Sequence, residues 1–172
     1  MTTSLYDLSV ANYLQTVDAM KGVLEKGLAH CTSKSIDPAE FVAAKLFEDM
    51  LPFHFQIVAV AHHSLGAVQG LQKGVFGPPG RPQLDYPGLQ KLIADAAEGL
   101  RRFTPAEINA LQGRDLTFEM RDRKLLFTAE EFVQSFSLPN FYFHSATAYD
   151  ILRTKGVPLG KRDFLGQLRL KR

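Results

Sequence analysis

Cysteine is almost absent from this 172-residue sequence: Cys31 stands alone, which excludes an internal disulfide framework and any multi-cysteine zinc motif. Net charge is almost absent too. Twenty Lys and Arg stand against 18 Asp and Glu, a formal +2, too little to imply a nucleic acid or an anionic membrane as partner. Nothing at the N-terminus resembles a signal peptide, so the expected setting is cytoplasmic. The remaining composition, 45% hydrophobic and 22% charged, is that of one soluble domain. A chain of this length can bury about 70% of its unfolded surface and needs neither disulfide nor structural metal to fold. A single domain over 1–172 is expected, with a basic end: residues 156–172 carry five cations and one anion.

Hydrophobic periodicity predicts mainly helix. Val10, Leu14, Val17, Met20, Leu24 and Leu28 share one helical face, giving a first helix over about 4–32. Asp37-Pro38-Ala39-Glu40 starts a short helix near 38–47, and a second long helix is expected from about Pro52 to Lys73. The Gly and Pro residues between Gly74 and Pro87 force an irregular loop. A third long helix follows on Leu89, Leu92, Ile93, Ala96, Leu100 and Phe103, and Thr104-Pro105 caps a short one ending near Gly113. The period then changes to strict alternation over 116–121, answered by 124–127 across an Asp122-Arg123 turn, the pattern of a small β-hairpin. Thr128 with Glu131 opens a helical stretch that Leu138-Pro139 interrupts before a last helix at about 140–155, and Gly156 ends it. Four long helices with short connections predict a four-helix bundle with the hairpin inserted before the last helix.

The second long helix is unusual, because residues 50–72 contain no Asp, Glu, Lys or Arg. Its length suits a membrane span, but Pro52, three histidines, three glutamines and Ser64 argue against insertion. On an ideal wheel His54 lies within the stripe of Ile57, Val58, Ala61, Leu65 and Val68, with His62 on its flank and His63 opposite. Ala59, His63, Gly66, Ala67 and Gly70 make that opposite side small. Either a second copy of the chain or the protein's own loop or tail must cover it, and a homodimer through this helix is the favoured expectation.

On the last helix His144 shares a stripe with Phe141, Ala148, Ile151 and Leu152 and should look inward. His54, His62 and His144, with Tyr142 and Tyr149, are therefore the candidate pocket residues. His54 and His62 stand about 12 Å apart along a helix axis and cannot share an ion, so a metal could join His144 to only one of them. Two histidines fall short of a metal site, and both readings stay open: a small polar pocket, or core histidines bonded to a neighbour or water. Cys31 reads as a small buried hydrophobe, and no phosphate loop or nucleophile elbow is present.

Several stretches together resemble a known family: Leu5-Tyr6-Asp7-Leu8-Ser9-Val10, Asp49-Met50-Leu51-Pro52, and above all Leu138-Pro139-Asn140-Phe141-Tyr142-Phe143-His144 with the segments from Thr147 to Arg153 and from Gly156 to Gly166. They look like the domain-of-unknown-function family DUF1993, a relative of the DinB and YfiT-like four-helix bundles. That resemblance implies a bundle in which many members hold a metal through one histidine on the second helix and a His-x-x-x-His pair on the fourth, and some transfer low-molecular-weight thiols. His144 matches the first histidine of the pair, Ala148 stands where the second should be, and His54 or His62 matches the remaining ligand only by position. The resulting expectation is a bundle with a degenerate metal site and no cofactor that binds a small molecule in a polar pocket. The alternatives are a non-catalytic dimeric structural or interaction protein and a metal-dependent, thiol-transferase-like enzyme.

Overall fold

The computed structural model describes residues 3–171. Its first helix, α1 (Leu5–Leu8), starts at a reciprocal cap between Ser4 and Asp7. Ser9 then leaves helical geometry, with φ −106° and ψ −88°, before α2 (Val10–Lys34). The single helix expected over 4–32 is thus two. The Ser9 hydroxyl donates to the Leu5 carbonyl at 2.6 Å, the kind of local side-chain bond that competes with a continuous helix. Asp37 caps α3 (Pro38–Ala43), which ends short of 47 because Ala44 is extended.

The second long helix is built from α4 (Phe53–Ala61), a π-helical turn (His62–Gly66) and α5 (Ala67–Lys73), and Gly74 stops it at φ 71°. After the loop come α6 (Tyr86–Arg101) and α7 (Pro105–Asn109), the latter started by the Thr104–Glu107 box. The last long rod combines α8 (Ala129–Glu131), a second π-helical turn (Phe132–Ser137) and α9 (Leu138–Thr154). Pro139 therefore does not interrupt the helix as expected. Proline lacks an N–H and its ring crowds the carbonyl four residues back; here the wider π turn sits where that crowding falls.

These rods form the four-helix bundle: α2 packs on α6, and α4 lies between α6 and α9. Tyr13, Met20, Leu24, Ile57, Ile93, Phe141 and Ile151 are buried between them. The hairpin strands β2 (Asp115–Met120) and β3 (Arg123–Thr128) are present, but the turn falls one residue earlier than expected, at Arg121-Asp122, with Arg121 at φ 53°. A third strand, β1 (Val75–Phe76), pairs parallel to β2, so the hairpin belongs to a three-stranded sheet. Two residues are too few to show alternation. No described helix is long and apolar enough to cross a membrane.

The charge-free helix is explained within the chain. Gln56 to Ala61 are all buried, with α9 on one side, α6 on another and the protein's own loop on a third. On the small face Ala59, His63 and Ala67 are buried, and Phe76 lies so close to Gly70 that an added Cβ would meet its ring at 3.0 Å. That face is occupied, which removes the ground for expecting a subunit interface there.

The tail docks on α2. Val157 and Leu159 are buried, Phe164 of α10 (Lys161–Leu165) meets Tyr149 edge-on, and Gln15 donates to the Leu165 carbonyl at 3.0 Å. Asn12, farther along α2, accepts from Arg169. Hydrogen exchange is expected to show protected amides at Val157 and Gly166, which donate to the Leu152 and Arg162 carbonyls. Complete exchange in the dead time from Gly156 onward would contradict docking.

Candidate functional site

The side of α4 and its following π turn that meets α9 carries Gln56 and, seven residues on, His63, a spacing that places both on one helical face. Sequence reasoning missed both. The antiparallel run of α9 brings His144 to Gln56 and Ser137 to His63. The His63 and His144 rings stack with centroids 6.0 Å apart and planes 19° from parallel. Phe55 and Phe143 stand edge-on to His144 at 5.8 and 5.2 Å, and Phe143 is 55% exposed, so the pair lies behind an aromatic rim.

Hydrogen bonds fix the tautomer of His144. The Gln56 amide nitrogen donates to the Leu51 carbonyl at 2.8 Å, which turns its carbonyl oxygen to His144 Nδ1, 2.7 Å away. A carbonyl only accepts, so Nδ1 carries the proton and Nε2 keeps the lone pair. His63 is different: its Nδ1 is buried and has no hydrogen-bond partner among the described residues. Burial, reinforced by the neighbouring His62 and His144, pushes His63 down to about 3, and burial alone takes His144 to about 4. Both rings are neutral near pH 7. They are also too weakly basic to serve as general bases there.

The expected pocket residues divide. His144 is in the cluster. His62 is at its edge, 5.4 Å from the His63 ring, but its Nε2–H donates to the Gly77 carbonyl at 2.7 Å and its ring stacks on Phe76. Burial lowers its pKa, against the opposing pull of that carbonyl. His54 points elsewhere: it accepts from the Leu84 N–H at 3.3 Å beside a cavity of about 150 Å³ lined by Leu51, Arg81 and Gln83. His54 and His62 thus hold the two ends of the loop. Tyr149 meets Phe164 of the tail edge-on, whereas Tyr142, 41% exposed, packs on Phe141. His63, which the ideal wheel set opposite the inward stripe, is the buried partner of His144. Residues 56–61 of this helix are buried on all sides, so no solvent face is there to phase a wheel.

A metal fits poorly. Ala148 is buried and offers no donor, and among the described residues no group of three His, Cys, Asp or Glu could hold an ion. Cys31 lies apart, fully buried, its thiol pushed up by burial and by Glu40 and Asp37.

The family described as Domain of unknown function (DUF1993) matches residues 5–165. A DinB family member protein from Shewanella denitrificans, known from a crystal structure, is 25% identical and aligns with a TM-score of 0.79 over 98% of this chain and 95% of its own. No curated protein matches.

Proposed function

Since the chain belongs to the DUF1993 family and shares its fold with a DinB family member, we propose that it is a small-molecule-binding bundle whose ligand seats at the His63–His144 pair without a metal. The observation that carries this reading is the buried, unpartnered Nδ1 of His63 beside a second neutral imidazole. A buried polar atom left unpaired costs about 1–3 kcal/mol, and a ligand bond at that atom would remove the cost. Both rings are uncharged, so the ligand chemistry they suit is neutral: a hydroxyl or amide beside an apolar group for the Phe55 and Phe143 rim. The protein acts here as a cytoplasmic binding module.

Ligand-observed NMR with a panel of neutral hydroxyl and amide fragments tests this. Fragments are expected to bind the wild type and to be lost in His63→Phe, which keeps an aromatic ring and removes its nitrogens. Because the substitution also relieves an unpaired nitrogen, its stability should stay within about 1 kcal/mol of wild type. Fragments that bind His63→Phe equally well, or a panel from which none binds, would overturn the reading. Elemental analysis of tag-free protein is expected to find no stoichiometric transition metal. One ion per chain, lost on His144→Asn, would restore the metalloenzyme alternative.

A second reading, association with another copy, is favoured by a separate observation. Strand β3 is a sheet edge on which Leu125 and Leu126 are 47% and 79% exposed, the kind of edge that pairs with another strand. Light scattering decides it: a dimer lost on Leu126→Lys supports pairing there, and a monomer at all concentrations removes it.

A further inference from the structure

Two hydroxyls lie beneath the histidine pair without touching any place a ligand could reach. Ser137 Oγ donates to the main-chain carbonyl of His63 at 2.9 Å, and the phenol of Tyr13, on α2, donates to Ser137 Oγ at 2.8 Å. Both residues are fully buried. Both ends of the Ser137–His63 bond lie in π-helical turns, His62–Gly66 and Phe132–Ser137. A π turn bonds its carbonyls to the N–H five residues on instead of four, which leaves a carbonyl free for another partner where the ladder shifts, and such turns recur at functional sites. The His63 carbonyl takes its partner from the facing π turn. Ser64 in the same turn instead bonds back to Val60 and Ala61 of its own helix, so the crossing bond belongs to His63 alone among these neighbours.

From this geometry we infer that Tyr13 and Ser137 are positioning residues for His63: the chain from phenol to hydroxyl to carbonyl fixes the backbone from which the His63 ring is presented to His144. The ring has no bond of its own at Nδ1, so its placement depends on stacking and on this backbone anchor. Tyr13 is itself held by its edge against Phe141, one turn of α9 before Ser145, which ties the anchor to the bundle core. The inference rests on the His63–His144 pair as the binding site, but its test requires no ligand.

The experiment is imidazole NMR on the full chain at neutral pH, comparing wild type with Ser137→Ala and Tyr13→Phe. The His63 ring signals are expected to shift and broaden in Ser137→Ala and to shift less in Tyr13→Phe, which retains the ring and loses only the hydroxyl. Signals of His30 and His54, which lie off this chain of bonds, should stay in place and show that the fold is intact. If Ser137→Ala does not fold, Tyr13→Phe alone decides. Unchanged His63 signals in a folded variant would overturn the assignment, and equal movement of all histidine signals would reduce it to general loosening. Failure of fragment binding in the wild type, with the His63 shifts present, would count against the ligand and leave the positioning role standing.

Discussion

Lowering the pH from about 7.5 to about 4.5 is expected to remove about 3–4 kcal/mol of stability, read as a falling denaturation midpoint. The sign follows from the two buried histidines. An unfolded histidine takes up a proton near 6.5, whereas burial holds His63 to about 3 and His144 to about 4 in the folded chain. The folded state is therefore fully favoured above the unfolded value. Stability is lost as the pH falls below 6.5, and the loss levels off only once the folded rings protonate near 4 and 3. At about 1.4 kcal/mol for each pH unit below 6.5, each ring would lose about 2.7 kcal/mol by pH 4.5; the exposed side of His144 and solvent screening reduce the sum. His63→Phe should flatten the slope by about half. An equally steep slope in that variant would assign the acid sensitivity to other groups.

Gly27→Ala should destabilise the protein by about 2–4 kcal/mol, although alanine in a helix interior normally gains about 1 kcal/mol over glycine. Gly27 lies within α2, where a Cβ would run into the Tyr86 hydroxyl and meet Leu152 at 3.3 Å. That hydroxyl donates to the Leu24 carbonyl at 2.9 Å and cannot retreat without leaving a buried donor unpaired. The Tyr86 ring is also held, stacked on Phe53 at 6.0 Å. Thermal unfolding of Gly27→Ala, Tyr86→Phe and the double variant forms a cycle. Removing the hydroxyl should recover most of the loss caused by the methyl group. Additive losses would mean that the crowding lies elsewhere.

Much of the fold was legible because its signals are local. The capping boxes at Thr104 and Thr128, the glycine stops at Gly74 and Gly156 and the apolar stripe of α6 each depend on neighbours in sequence. The docked tail also carries a local signal, since Val157, Leu159 and Phe164 persist among charges that a solvated tail would not need to interrupt. The candidate site was legible only at His144. Its partner, His63, lay opposite the stripe on which the wheel set His54, on a helix whose residues 56–61 are buried on every side. With no polar stripe to set the phase, His54 and His63 could not be ranked by periodicity. The π turns compound this, since nothing in the composition of His62–Gly66 announces one. Gln56 offered a usable signal: an amide seven residues before a histidine on a charge-free helix is a pair that needs a polar partner across the bundle.

A titration of the histidine rings by NMR, with ring-to-ring Overhauser contacts recorded in the same samples, tests the proposed site most directly. Contacts between His63 and His144 are expected, together with a His63 ring that stays neutral from pH 7 down to the acid unfolding transition. A His144 ring in contact with His54, or a His63 that takes up its proton near 6.5 while the chain is folded, would contradict the buried neutral pair on which the site rests.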